Sequence, residues 1–137
     1  FDVYSQTNGC AASDLITADD QKAWGVLYDI PDEFIRGNRK DKQKTLADIE
    51  GPRYEETTIR VRDHEGNEQE VITFVVKENE RQRDLATSAA YVSWIVYGLR
   101  AHAVPEEYID HVVQVAVETN KRAGEAAAEQ TRLINTL

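Results

Sequence analysis

Alternation of apolar and polar residues dominates the first part of the chain and predicts β-structure. In residues 23–30 every second position carries a large apolar or aromatic residue, which predicts a strand with one apolar face formed by Trp24, Val26, Tyr28 and Ile30. Residues 54–76 alternate in the same way on both sides of a turn at 63–67, and this pattern predicts a β-hairpin. Residues 1–16 predict one or two short strands around a turn at Thr7-Asn8-Gly9.

The last part of the chain follows a helical period. Thr87 or Ser88 can cap a helix, and six of the residues that follow share one face: Tyr91, Trp94, Ile95, Gly98, Leu99 and His102. Pro105 and the two glutamates after it predict the start of another helix, which is rich in apolar residues up to Ala116. Beyond these helices, residues 121–137 have helix propensity, but few apolar residues other than Leu133 and Ile134.

Two shorter helices are predicted between the strands. Pro31-Asp32-Glu33 places a proline and two acids where a helix begins. Residues 44–50 predict a second short helix, which Gly51-Pro52 ends. We expect the large aromatic residues Trp24, Tyr28 and Trp94 in the core.

Strands first and helices last predict an α+β fold, and the small number of strands favours a small, partly closed mixed β-barrel flanked by helices. A chain of 137 residues fits one domain. We assign residues 1–120 to that domain and 121–137 to a helical tail that packs on itself, on a neighbour or on nothing. Because there is no Met and residue 1 is already strand-like, we expect upstream sequence to hold the first strand of the domain.

The composition narrows the classes of partner. The net charge of −9 argues against nucleic acid and anionic membranes as partners. No apolar run approaches the ~20 residues that span a bilayer. The single cysteine, Cys10, is expected in the core and predicts a reducing, cytoplasmic location. The basic segment 36–44 predicts a solvated loop, since Asp41 interrupts it and no aromatic residue is interleaved.

The residues that could carry chemistry reduce to carboxylates. The three histidines are scattered, and the chain has no phosphate-binding glycine loop, so we predict neither a metal site nor a cofactor. Glu50 stands out because it closes the helix before Gly51, where the negative end of the helix dipole and partial burial would raise its pKa toward that of a general base. Glutamates at helix ends are common, so the residues alone leave an ordinary solvated acid as an alternative.

An ordered set of segments resembles the gamma-glutamylcyclotransferase-like family over about residues 10–115. The segments are Trp24-Gly-Val-Leu-Tyr-Asp-Ile-Pro31, Leu46-x-x-Ile49-Glu50-Gly51 followed by Tyr54 and the hairpin, Ser88-x-x-Tyr91, and Tyr97-Gly-Leu-x-x-x-x-Val-Pro-x-x-Tyr108. The resemblance implies a small barrel that holds a γ-glutamyl substrate without a cofactor. It makes Glu50 the acid/base that releases 5-oxoproline, with Gly51, Tyr54 and Tyr91 near the substrate.

The resemblance has two departures. Ala47 stands where the family usually has an acid, with Asp48 beside it, and the family's carboxylate-binding loop is not in these residues, so we expect it upstream of Phe1. Two alternatives stay open: a non-catalytic binding or interaction module on the same fold, and a related γ-glutamyl transfer or removal step. Packing is an equally good role for Tyr54 and Tyr91, and an oligomer through the C-terminal helices also stays open.

Overall fold

The computed structural model describes residues 1–37 and 44–137 and divides them into two compact units. The helical unit consists of Phe1–Leu27 and Arg81–Leu137, and the hairpin unit consists of Tyr28–Glu80. Most of the basic segment 36–44, predicted to be a solvated loop, lies outside the described residues.

The elements mix short strands and helices, as an α+β fold requires. In chain order they are β1 (Val3–Ser5), β2 (Cys10–Ala12), α1 (Asp32–Arg36), α2 (Leu46–Glu50), β3 (Tyr54–Arg62), β4 (Glu68–Val76), a 3-10 turn (Glu78–Glu80), α3 (Ala89–Ala101), α4 (Glu106–Ala123), a second 3-10 turn (Glu125–Ala127) and α5 (Ala128–Ile134). The strands of the described residues form two antiparallel pairs, β1–β2 and β3–β4, and no closed barrel. The α+β prediction is therefore confirmed, whereas its barrel detail is not. None of the helices in the described ranges has the length and apolar content that crossing a bilayer requires.

The predicted turn at residues 7–9 joins β1 to β2. Gly9 has a φ of +64°, which favours glycine, and its N–H donates to the Ser5 carbonyl at 2.8 Å. Cys10 is buried, as predicted. The Ala11 N–H donates to the Ala86 carbonyl at 2.8 Å, so β2 is fixed to the segment that leads into α3.

The core of the helical unit lies between α3, α4 and α5. The buried residues of α3 are Val92 and Val96, which cluster with Ile109, Ala116 and Ile134. The prediction of which face of α3 is buried was wrong, because Trp94 on the predicted face is 73% exposed. Eleven of the thirteen residues of α3 are apolar or glycine, so the period of its sequence does not single out one face, and packing against α4 and α5 selects the valines.

The segment 23–30 does not form the strand that its alternation predicted. It has no regular secondary structure, and Trp24 and Tyr28 are 50% and 69% exposed, so their assignment to the core was also wrong. A strand needs hydrogen-bonding neighbours, and no described strand pairs with this segment.

The buried side chain of Asn120 holds the segment before α3. It bonds both the N–H and the carbonyl of one residue there, as a neighbouring strand would. Its Oδ1 accepts from the Thr87 N–H at 2.7 Å, and its Nδ2 donates to the Thr87 carbonyl at 3.0 Å. The Thr87 hydroxyl donates to the Ala11 carbonyl at 2.8 Å. These bonds satisfy buried backbone groups that would otherwise be costly to desolvate.

The predicted helical tail forms α5 and contributes to this core. Ile134 is fully buried, whereas Leu133 is 37% exposed. Gln130 anchors the helix, since its Oε1 accepts from the Ala89 N–H at 2.8 Å. The tail therefore packs on its own chain.

The hairpin unit is built from the predicted hairpin and two short helices. The strands β3 and β4 pair over nine positions, from Tyr54 opposite Val76 to Arg62 opposite Glu68. The helix α1 begins after Pro31 with Asp32 and Glu33 in its first turn, as predicted. The helix α2 ends before Gly51, also as predicted.

Candidate functional site

A capping box fixes the start of α2, the helix that carries Glu50. The Thr45 hydroxyl accepts from the Asp48 N–H at 3.2 Å, and the Asp48 carboxylate accepts from the Thr45 N–H at 3.0 Å. The Thr45 hydroxyl also donates to Asp48 at 3.0 Å. These bonds hold the pKa of Asp48 below its usual value, with the Thr45 backbone N–H as the largest cause. Asp48 is thus engaged in holding the helix.

Gly51 ends α2 and turns the chain. Its φ of +81° with a ψ of −173° belongs to backbone that only glycine adopts readily, and its N–H donates to the Ala47 carbonyl at 3.0 Å. A Cβ at Gly51 would meet no atom within 4 Å. The backbone conformation of the turn therefore requires glycine at this position. The space around it does not, because a side chain here would not collide with a neighbouring atom.

Glu50 is the last residue of α2 and is half-buried. Burial raises the pKa of its carboxyl above the ordinary value, in the direction expected from the sequence. The cause of this shift is desolvation by burial, at the end of a helix of five residues. Within the described part of the chain, neither a cation nor a hydrogen-bond donor holds the Glu50 carboxylate. Its proton affinity is therefore set by desolvation.

The loop after Glu50 is fastened to the end of β4. The Tyr54 N–H donates to the Gly51 carbonyl at 3.3 Å. Lys77 holds the loop twice, because its N–H donates to the Arg53 carbonyl at 2.9 Å and its Nζ donates to the Pro52 carbonyl at 2.7 Å. The loop position next to Glu50 is thus set by the hairpin.

Contacts of α1 and of Gly37 reach β3 and the residue that caps α2. Arg36 forms a two-pronged ion pair with Glu56 of β3, with its shortest N–O distance at 2.6 Å, and this contact lowers the pKa of Glu56. Gly37 ends α1 with a φ of +81°, and a Cβ there would lie 2.8 Å from Cγ2 of Thr45. Glycine is required at this position both by conformation and by close approach.

The four residues predicted for the site fall into both units. Glu50, Gly51 and Tyr54 lie together in the hairpin unit, in the turn from α2 to β3. Tyr91 lies in the helical unit, where its hydroxyl accepts from the Ser13 N–H at 3.1 Å and its ring packs edge-on against Phe1 with centroids 6.3 Å apart. These contacts of Tyr91, a hydrogen bond and a ring contact, hold the helical unit together.

Three supporting residues have roles that the sequence analysis missed. Thr45 and Asp48 have the spacing of a capping box, so that signal was available. Lys77 gave no signal, because a lysine in a charged linker is indistinguishable from a solvated one until its partner, Pro52, is known.

The site offers two carboxylates with opposite electrostatics on one short helix. The pKa of Glu50 is raised by burial, and that of Asp48 is lowered by its hydrogen bonds to Thr45. Glu50 is therefore the more basic of the two carboxylates, and Asp48 caps the helix. In residues 1–37 and 44–137, no group of three His, Cys, Asp or Glu side chains converges as a metal site would.

Comparison with known proteins gives one match. The sequence model of the AIG2-like family matches residues 22–112, a range that includes all four of the predicted site residues. No curated protein and no solved structure matches the chain.

Proposed function

The chain belongs to the AIG2-like family, part of the gamma-glutamylcyclotransferase-like superfamily, and from this premise we propose that it releases 5-oxoproline from a γ-glutamyl amine or a short γ-glutamyl peptide. The observation that supports the proposal most is Glu50, a half-buried carboxylate with a raised pKa and no fixed partner among the described residues. A general base gains proton affinity from such a shift.

The reaction needs one group that accepts a proton and later returns it. Glu50 takes a proton from the α-ammonium of the substrate, and the freed amine attacks the γ-carbonyl carbon to form the C–N bond of the five-membered ring. The bond from that carbon to the leaving amine then breaks as Glu50 returns the proton to the departing nitrogen, and the ring nitrogen gives its second proton to the released amine, which leaves as an ammonium ion. Because nucleophile and carbonyl belong to one molecule, proximity supplies much of the acceleration.

The groups around Glu50 have supporting roles in this proposal. Gly51 and Tyr54 would border the γ-glutamyl group from the turn, and Lys77 would keep that turn in place through Pro52. The strands β3 and β4 would belong to the small barrel that the superfamily resemblance implies.

The test is 5-oxoproline release from a panel of γ-glutamyl amines by the full-length protein and by Glu50→Gln. We expect kcat/KM to fall by about 10²- to 10⁴-fold when the base is removed. Glu55→Gln, the same change at an exposed glutamate in β3, is the matched control and should keep wild-type turnover. Unchanged turnover in Glu50→Gln, or none in the wild-type protein, would refute the proposal.

A second candidate function is a binding module without catalysis. One observation favours it: Ala47 replaces the usual acid of this segment, and the acid beside it, Asp48, is engaged in the cap of α2. Calorimetric binding of γ-glutamyl amines without 5-oxoproline formation would support the module. Turnover that depends on Glu50 would exclude it.

A further inference from the structure

One side of α3 presents a short apolar seam to solvent. Ala90, Trp94, Tyr97 and Ala101 are all exposed, and their spacing of four, three and four residues places them along one line of the helix. Trp94 and Tyr97 are 73% and 70% exposed, whereas Val92 and Val96 face the core. The seam therefore has the spacing with which one helix packs on another, but its aromatic residues remain in water.

The seam is also nearly free of charge. Arg100 is the single charged residue of α3, in a chain of which 30% of the residues are charged. Its guanidinium is engaged with Glu106 at 3.1 Å and with the Leu137 carbonyl at 3.2 Å. An uncharged aromatic surface of this kind typically marks an interaction site.

The order of residues along the seam reads the same in both directions. It runs small, aromatic, aromatic, small, so that two antiparallel copies of α3 related by a two-fold axis would place Ala90 opposite Ala101 of the other copy. The same axis places Trp94 opposite Tyr97 of the other copy. Such self-complementarity is what a two-fold interface requires. We propose that α3 is the surface through which two copies of this chain associate, with their α3 helices antiparallel.

The charge distribution also favours a second copy as the occupant. Each copy has a net charge of −9, so two copies repel one another wherever carboxylates face each other. The seam contains no carboxylate, and the small side chains at both of its ends let two helices approach closely. A groove lined by Trp94 and Tyr97 themselves, together with Ser93 and Leu137, offers room for an aromatic ring of the other copy.

The contact is small, and the dimer is accordingly weak. Thirteen residues give α3 a length of roughly 20 Å, so the pairing buries less than the ~1,600 Å² of a standard interface. We expect a dissociation constant in the micromolar range, on the order of 10 to 100 µM.

Sedimentation equilibrium of the full chain up to about 500 µM tests the association. Trp94→Ala and Tyr97→Ala should each raise the dissociation constant at least about tenfold, because aromatic anchors carry most of the affinity of such contacts. Tyr28→Ala is the matched control, since Tyr28 is 69% exposed and lies outside α3. A chain that stays monomeric, or a dimer that tolerates both α3 changes, would overturn the proposal and leave the seam to a different protein.

A charge exchange tests the antiparallel register. Ala90→Glu alone and Ala101→Lys alone should each weaken the dimer, because each puts a charge opposite an alanine. The double variant Ala90→Glu with Ala101→Lys should restore association, since the two introduced charges then face each other across the axis, and high salt should reduce that restoration. Recovery in the double variant supports the proposed register, and its absence, with folding intact by circular dichroism, overturns it.

Discussion

Each of the two units is stabilised internally, and the kind of interaction that does so differs between them. The helical unit contains nearly all of the buried apolar side chains in the described residues, including Ile109, Ile134 and Val92. In the hairpin unit the described buried residues are Val76 and Thr45. Polar contacts organise the surroundings of Glu50 instead: the Thr45 cap, the Arg36–Glu56 pair and the Lys77 bond to Pro52. Packing thus stabilises one unit, and directional hydrogen bonds position the candidate site in the other.

The largest effect is expected where the helical unit buries a polar group. Asn120→Ala should lower the free energy of unfolding by about 4 kcal/mol, because the Thr87 N–H and carbonyl each lose a buried partner worth about 1–3 kcal/mol. Urea unfolding measures this loss. Gln114→Ala, a change of an exposed amide on the same helix, is the control and should cost less than about 0.5 kcal/mol. Equal losses would contradict the role given to Asn120.

A pair of substitutions in α5 tests whether the C-terminal tail packs in the helical unit. Ile134→Ala should cost about 3 kcal/mol, since it leaves a cavity at a fully buried position. Leu133→Ala removes the same number of carbons from a partly exposed position and should cost below about 1 kcal/mol. If thermal and urea unfolding give the same loss for both variants, α5 does not pack as described.

A backbone change should have the strongest effect on the hairpin unit. Gly37→Ala imposes a positive φ on alanine and a contact of 2.8 Å with Cγ2 of Thr45, and should cost about 2 kcal/mol. Adding Thr45→Ser removes that methyl group and should recover part of the loss. Gly25→Ala, where a Cβ meets nothing within 4 Å, should be neutral. Hydrogen exchange of the α1 and α2 amides reports whether the loss is local.

The cap of α2 should contribute less. Thr45→Ala removes the hydroxyl that accepts from the Asp48 N–H and should cost about 1 kcal/mol. Thr45→Ser keeps that hydroxyl and should cost only a fraction of this. In Thr45→Ala the pKa of Asp48, followed by NMR, should move back up toward 3.8, because one of its donors is lost. An unmoved titration would show that the side chain does not engage Asp48 in solution.

The smallest effect is a difference in pH dependence between two carboxylates. The pKa of Glu50 is raised above 4.5, so its contribution to stability is present below 4.5 and is lost as pH rises through the folded-state value. Asp48 behaves oppositely: its contribution is present above 3.8 and is lost as pH falls through its lowered value. Side-chain carbonyl NMR of both residues, with Glu50→Gln as the control for assignment, checks the order of titration. Glu50 titrating below Asp48 would invert the roles assigned to them.

Local signals in the sequence predicted the parts of the fold that depend on near neighbours. The hairpin, the turn at Gly9 and the ends of α2 follow from turn residues, caps and alternation within a few positions. Predictions that needed a distant partner failed. The segment 23–30 alternates as a strand does, yet no described strand pairs with it, and the outer face of α3 is as apolar as the inner one.

The candidate site shows the same division. Glu50 and Gly51 were predicted from their place at a helix end together with the family resemblance, and burial raises the pKa of Glu50 in the expected direction. The bond from Lys77 to Pro52 could not be predicted, because it joins residues more than 20 positions apart. The same holds in the helical unit for the bonds between Asn120 and Thr87. A polar residue shows its role only when its partner is known.

The hairpin has a practical consequence for engineering. The loop after Glu50 is fastened at one end of β3 and β4, and the turn at residues 63–67 lies at the other, eight residue steps away or about 27 Å. Asp63 closes that turn through its own bonds to the Glu65 and Asn67 N–H groups. A peptide tag or reporter inserted between Glu65 and Gly66 would lengthen the turn and leave the strand register unchanged, so this tip is the place to label the protein without disturbing the candidate base.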